Sequence, residues 1–181
     1  MPFSKMSFWL VVSVFLLLPL EVVADEWSGP SVQNIREGIT EIRTLDAETV
    51  KLIKTFRENN NAHSYYLVMV ALDKGNGKMF AIPFHMSGDT FSDYTTTAQG
   101  AECVTSDIWL FKGNVGSIPR PELLSAQRSV EAGYGGEDFF TFIRWDLRRN
   151  LDGVVGVPPY YWEPAQTWKS QSKFCDAKDA L

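Results

Sequence analysis

From residue 40 onward, apolar side chains recur with period two or in short runs rich in Val, Ile, Phe, Tyr and Trp, punctuated by Gly, Asn, Asp and Pro. Period two is the strand repeat, because successive side chains leave a strand on opposite faces. The pattern predicts strands at 40–45, 49–57, 65–72, 78–83, 102–112, 122–130, 138–148 and 160–170. Turn residues separate them at 73–77, 112–114, 133–136 and 150–153. Connections this short predict antiparallel hairpins rather than helical crossovers. About eight such strands suit an all-β fold, an antiparallel two-sheet β-sandwich, with a barrel as the alternative. The segment 138–148 is the most informative. Phe140, Phe142 and Arg144 fall on one face and Phe139, Thr141, Ile143 and Trp145 on the other. Large apolar groups on both faces predict a central strand packed on each side. Helix is expected only as a short C-terminal element over 172–180, where good helix formers follow Ser172 as N-cap.

The first 24 residues obey a different pattern and change the setting of everything after them. Lys5 precedes an uncharged apolar run at 8–20, and Val22-Val23-Ala24 offers small residues before Asp25. This is the order of parts in a cleaved secretory signal peptide. A transmembrane anchor is the alternative, but the run contains Pro19, is followed by Glu21, and falls short of the roughly 20 apolar residues that span a bilayer. Residues 25–181 are then expected to form one domain outside the cytoplasm. The residue directly after the cut is Asp25 and not a cysteine, so no lipid anchor is expected. The leader carries one base, Lys5, and one acid, Glu21, so its removal leaves the net charge at −5. An acidic domain without a run of Lys and Arg is a poor match to nucleic acid or to an anionic membrane surface.

Export also bears on the two cysteines, Cys103 and Cys175. In an oxidising compartment a disulfide persists, and the sequence predicts a Cys103–Cys175 bridge, with two separate thiols as the alternative. Closing a loop of about 70 residues stabilises by roughly 4 kcal/mol in the chain-entropy model, an upper figure if the native bridge is strained.

Catalytic constellations are sparse. The two histidines, His63 and His85, sit in neither an H-x-H nor an H-E-x-x-H setting, and no G-x-S-x-G elbow occurs. Ser170-Gln-Ser-Lys173 matches S-x-x-K, in which a Lys helps activate a nucleophilic Ser, but the companion S-D-N and K-T-G motifs are missing. No enzyme is expected. Two segments carry binding chemistry. In 57–63, Arg57, Asn59, Asn61 and His63 offer a guanidinium and amides that can grip a carboxylate or present oxygen to a cation; a plain hairpin loop is the simpler explanation. In 157–163, alternation places Tyr160 and Trp162 together and Tyr161 opposite, either as core filling or as an aromatic surface. No cofactor is required; a structural cation is compatible with the oxygen-rich turns at 73–76 and 150–153.

Taken in order, Phe56-Arg-Glu-Asn-Asn-Asn-Ala-His-Ser64, Gly100-Ala-Glu-Cys103, Leu147-Arg-Arg-Asn150, Asp152-Gly153, Pro158-Pro-Tyr-Tyr-Trp162 and Phe174-Cys-Asp176 resemble the carbapenem intrinsic-resistance family, the CarG-type proteins. The resemblance implies a periplasmic β-sandwich that protects a cell from carbapenem without being a β-lactamase. Its partner would be the antibiotic or a periplasmic protein target that it shields; the family pattern assigns no site residues, and it is residue chemistry that offers Arg57 and the Asn cluster as clamp and Tyr160 and Trp162 as stacking wall. Family members are similar in fold to periplasmic lysozyme inhibitors, so an inhibitor of lysozyme or another hydrolase, inserting the 133–138 loop, is the alternative. A β-lactam hydrolase using Ser170 and Lys173 is a second one. Exposed sheet edges and surplus aromatics leave a homodimer open.

Overall fold

The computed structural model describes residues 31–43, 48–61, 63–98, 102–112, 122–131 and 133–181. The leader expected at 1–24 and the turn residues 113–114 lie outside them. The described residues contain twelve strands: β1 (Ser31–Asn34), β2 (Gly38–Arg43), β3 (Thr49–Arg57), β4 (Tyr65–Asp73), β5 (Met79–Ala81), β6 (Phe84–His85), β7 (Phe91–Ser92), β8 (Tyr94–Ala98), β9 (Ser106–Lys112), β10 (Glu122–Arg128), β11 (Asp138–Arg149) and β12 (Tyr160–Phe174). One sheet has seven strands in the order β1-β9-β10-β11-β12-β6-β7. The other has five: β2-β3-β4-β5, with β8 also on β4, end to end with β5. Pairing is antiparallel throughout these ladders except where β12 meets β6 in parallel at Trp162 and Phe84. Four short strands, β1, β6, β7 and β8, add to the eight that alternation predicts.

The two sheets face each other across one core. Val50, Leu52, Val68, Val70 and Leu72 of the five-stranded sheet meet Phe84, Ile108, Leu123, Trp145 and Trp162 of the seven-stranded one. A second apolar cluster lies on the opposite face of the larger sheet, where Trp109, Phe111, Leu124, Ala126, Phe140 and Phe142 are buried. Strand β11 therefore packs on both sides, as its sequence predicts, with Phe140 and Phe142 in the outer cluster and Trp145 in the inner one. Burying each such aromatic side chain stabilises by roughly 1.5–3 kcal/mol, so a bare outer face would be costly.

The cover for that face comes from the C-terminus, and it is not helical. Strand β12 continues through Phe174, and residues 175–181 form consecutive turns, with Asp179 N–H donating to Asp176 O and Leu181 N–H to Lys178 O. Long-range bonds outcompete the local helix: Val104 N–H donates to Asp176 Oδ1 at 2.5 Å, and Ala177 N–H donates to Val104 O at 3.0 Å. A helix of fewer than ten residues is marginal without packing, and here packing favours the turns. Ala177 is buried in the outer cluster, with Trp168, Phe174, Ala180 and Leu181 against it. The Cys103–Cys175 disulfide, Cα atoms 5.1 Å apart, fastens the segment at its start.

Opposite edges of the sandwich are tied differently. At one end, Glu48 Oε1 accepts from Lys74 Nζ at 2.6 Å and Glu48 Oε2 from the Tyr160 hydroxyl at 2.8 Å, joining the two sheets. Lys74 holds the Glu48 carboxyl below the ordinary carboxylate range, with Tyr160 adding to it, while burial raises the Tyr160 phenol. Along one side, Ser106 Oγ accepts from Ala98 N–H at 2.6 Å, stitching β8 to β9. The bridge that holds the outer cover spans 72 residues of sequence. Replacing both cysteines by serine should lower unfolding free energy by about 2–4 kcal/mol, read by urea denaturation; an unchanged midpoint would show that the tail holds without it.

Candidate functional site

Strands β3 and β4 end in a hairpin whose last pair is Arg57 and Tyr65. The connecting residues turn through Asn60, which sits at φ 52°, a left-handed conformation that Asn tolerates better than most residues. Asn61 Oδ1 then accepts from His63 N–H at 2.8 Å, a side-chain-to-backbone bond that fixes the loop. Beside this loop lies a cleft of about 600 Å³.

Its floor follows from strand register. Tyr65 pairs with Ala98, Leu67 with Thr96 and Met69 with Tyr94. The alternate residues Val68, Val70 and Thr97 are buried, so Tyr65, Leu67, Tyr94, Thr96 and Ala98 share the outward face of the five-stranded sheet. Arg57, Asn59, Asn61 and His63 form one wall. The other is Tyr134, from the β10–β11 connection, whose ring stacks on His63 with centroids 3.9 Å apart and planes at 22°.

Tyr134 is positioned by a residue hidden beneath it. Arg128 is only 3% exposed. Its guanidinium donates to Tyr134 O at 2.5 Å and, at 3.4 Å each, to Gly133 O and Ser129 O. Hydrogen bonds from a charged donor contribute more than neutral ones, about 1.5–3 kcal/mol. One side chain thus holds the loop that carries the cleft's aromatic wall.

The structure gathers Arg57, Asn59, Asn61 and His63 but places the two predicted aromatics elsewhere. Trp162 is fully buried, with Phe84 stacked beside it, so it fills the core and offers no surface to a ligand. Tyr160 belongs to the Glu48–Lys74 tie, with Lys74 and Arg149 each 5.5 Å from its ring centre. That tie lies next to Thr49, at the start of β3, and Arg57 lies at its end; eight residue steps at about 3.3 Å put the two some 26 Å apart. Tyr65, Tyr94 and Tyr134 supply the aromatic surface instead.

Ser170 and Lys173 do not form a nucleophile–base pair. Ser170 Oγ accepts from Phe140 N–H at 3.0 Å and donates to Ser172 O at 2.7 Å, while Lys173 Nζ is 3.8 Å from Asp138. His85 is likewise engaged away from the cleft. Its Nδ1 meets Glu163 at 2.9 Å and its Nε2 meets Gly88 O; that carbonyl first and the carboxylate second raise its pKa. Among the described residues no group of three His, Cys, Asp or Glu side chains is arranged to hold a metal.

A family model described as carbapenem resistance protein CarG-like matches residues 35–181. The chain belongs to the CarG-like family. The crystal structure of CarG shares its fold, with a TM-score of 0.67 at 17% sequence identity, covering 83% of this chain and 92% of that one. No curated protein matches the sequence. The cleft's residues fall inside the region that the CarG-like model matches.

The clamp on Tyr134 is open to direct test. Arg128→Met keeps the buried volume but removes every bond to the loop, and it should cost about 2–3 kcal/mol in chemical denaturation. The upfield ring-current shift that Tyr134 imposes on the His63 ring protons should disappear. If those proton shifts stay in place, Arg128 does not set the wall.

Proposed function

We propose that the chain is an exported, periplasmic carbapenem resistance protein that binds the antibiotic in the Arg57–Tyr134 cleft and leaves the β-lactam ring closed. Membership of the CarG-like family over residues 35–181 carries the reading. The cleft supports it with matching chemistry, since a carbapenem joins a carboxylate to a small bicyclic body. Arg57 presents a guanidinium at the rim, Asn59 and Asn61 present amides, and three tyrosines line the floor and wall.

Magnitudes decide how the parts divide the work. At an exposed rim an Arg–carboxylate contact contributes about 1 kcal/mol or less. Most of the affinity must therefore come from covering the exposed aromatic surface of the tyrosines, where apolar burial contributes roughly 25 cal/mol per Å². Absence of hydrolysis is part of the proposal, and the separate engagement of Ser170 and Lys173 supports it. The hydrolase-inhibitor alternative gains no specific support, because Tyr134 of the 133–138 loop is packed on His63 and held by Arg128.

Calorimetric titration with intact meropenem should give saturable heat with one site per chain. Arg57→Ala should weaken it by about fivefold, near 1 kcal/mol, and Tyr134→Ala by more. The antibiotic should be recovered unchanged, with no acyl adduct in the protein's mass. No heat at high protein concentration would exclude sequestration and leave shielding of the drug's target.

A further inference from the structure

Between the seven-stranded sheet and β8 of the five-stranded one lies a second cavity of about 560 Å³. The floor is graded. Leu123 and Trp145, paired across β10 and β11, belong to the core at its inner end. The next row is Ser125, Ile143 and Thr167, and beyond it come Ser106, Gln127 and Thr141. Thr95 and Met86 form the facing wall, and Thr96 borders both this cavity and the Arg57 cleft. Trp145 Nε1 donates to Ser125 Oγ at 2.8 Å, fixing the indole at the cavity's closed end.

The chemistry of this lining selects its occupant. Its two charged side chains are turned to other groups: Asp107 faces Lys54 at 3.5 Å, and the buried Arg128 donates through its two terminal nitrogens to the loop carbonyls. What faces the cavity is hydroxyl, amide and apolar surface. Arg128 is buried with its terminal nitrogens turned to the loop, so an ionic ligand would lose hydration for little contact with an opposite charge, whereas a neutral polar ligand keeps hydrogen-bond partners throughout. A peptide adding as a strand needs a free ladder edge, yet the floor strands β9, β10, β11 and β12 are paired with one another. A ligand with hydrogen-bonding edges and apolar ring faces satisfies both conditions, and pyranose sugars have that character. Three inter-strand steps of about 4.8 Å make a floor some 14 Å wide, enough for a short oligosaccharide.

We propose that this inter-sheet groove, which adjoins the Arg57 cleft at Thr96, is a binding site for a neutral oligosaccharide, independent of the carbapenem reading. Gln127, Thr141 and Thr167 hydrogen-bond the sugar edges, and Ile143 lies under a ring face, with the buried Trp145 at the closed end. The probes are triacetylchitotriose and maltotriose, titrated to millimolar concentration into the 15N-labelled chain from residue 25 onward.

At least one sugar should produce saturable shifts in the amides of Gln127, Thr141, Ile143 and Thr167 and in the Trp145 indole N–H. A Gln127→Ala, Thr141→Val double variant should weaken binding at least about tenfold, equal to about 1.4 kcal/mol. Thr167→Val, at an exposed position, provides a second variant if that one folds poorly, and Arg57→Ala should leave the titration unchanged. No shifts with either sugar, or shifts confined to the Arg57 cleft, would overturn the proposal.

Discussion

A β-sheet with large apolar side chains on both faces must be covered twice, and the seven-stranded sheet is of that kind. Its inner face takes Trp145, Trp162 and Phe84 against the smaller sheet. Its outer face takes Trp109, Phe140 and Phe142, and no sheet of the described residues lies there. The polypeptide supplies the cover from its own end, by carrying β12 out to Phe174 and turning the last residues back over the cluster. A tail of turns has little local stability, so it relies on tertiary fastening: the Cys103–Cys175 bridge and the two bonds at Val104. An oxidising location would therefore serve the fold as well as the function.

The same architecture separates the ends of the molecule. One end is closed by the Glu48–Lys74–Tyr160 tie between the sheets. At the other, the β3–β4 hairpin and the loop carrying Tyr134 approach one another and enclose polar and aromatic groups without filling the space between them. The residues of the proposed site thus sit on strand ends and loops, and the loops are not left slack. Asn61 pins one and Arg128 pins the other. A ligand entering such a cleft meets walls already in place, which lowers the entropy lost on binding.

Much of the fold was legible because period two survives in the long strands. It failed where polarity hides the pattern, as in β8, where Thr95, Thr96 and Thr97 look alike although Thr97 is buried and Thr96 lines the cleft. It failed at the C-terminus because helix formers there are overruled by contacts with residues about 70 positions away. For the cleft, the hairpin residues were readable as a polar cluster between two strands. Tyr94 and Tyr134 were not, since only pairing register and loop packing bring them to the same place. Trp162 was misplaced for a related reason: alternation says which residues share a face, but not whether that face meets solvent or another sheet. Arg128 left no signal at all, because its partners are backbone carbonyls, which every residue has.

Protection of living cells tests the account most directly. Carbapenem-sensitive Gram-negative cells would express the chain with residues 1–24 or without them, as wild type or Tyr134→Ala, with levels and folding verified, and the inhibitory carbapenem concentration would be measured. The account predicts a raised concentration for the exported wild type, a reduced effect for exported Tyr134→Ala, and none for the leaderless form. No protection from verified exported protein, or equal protection from the leaderless form, would contradict it.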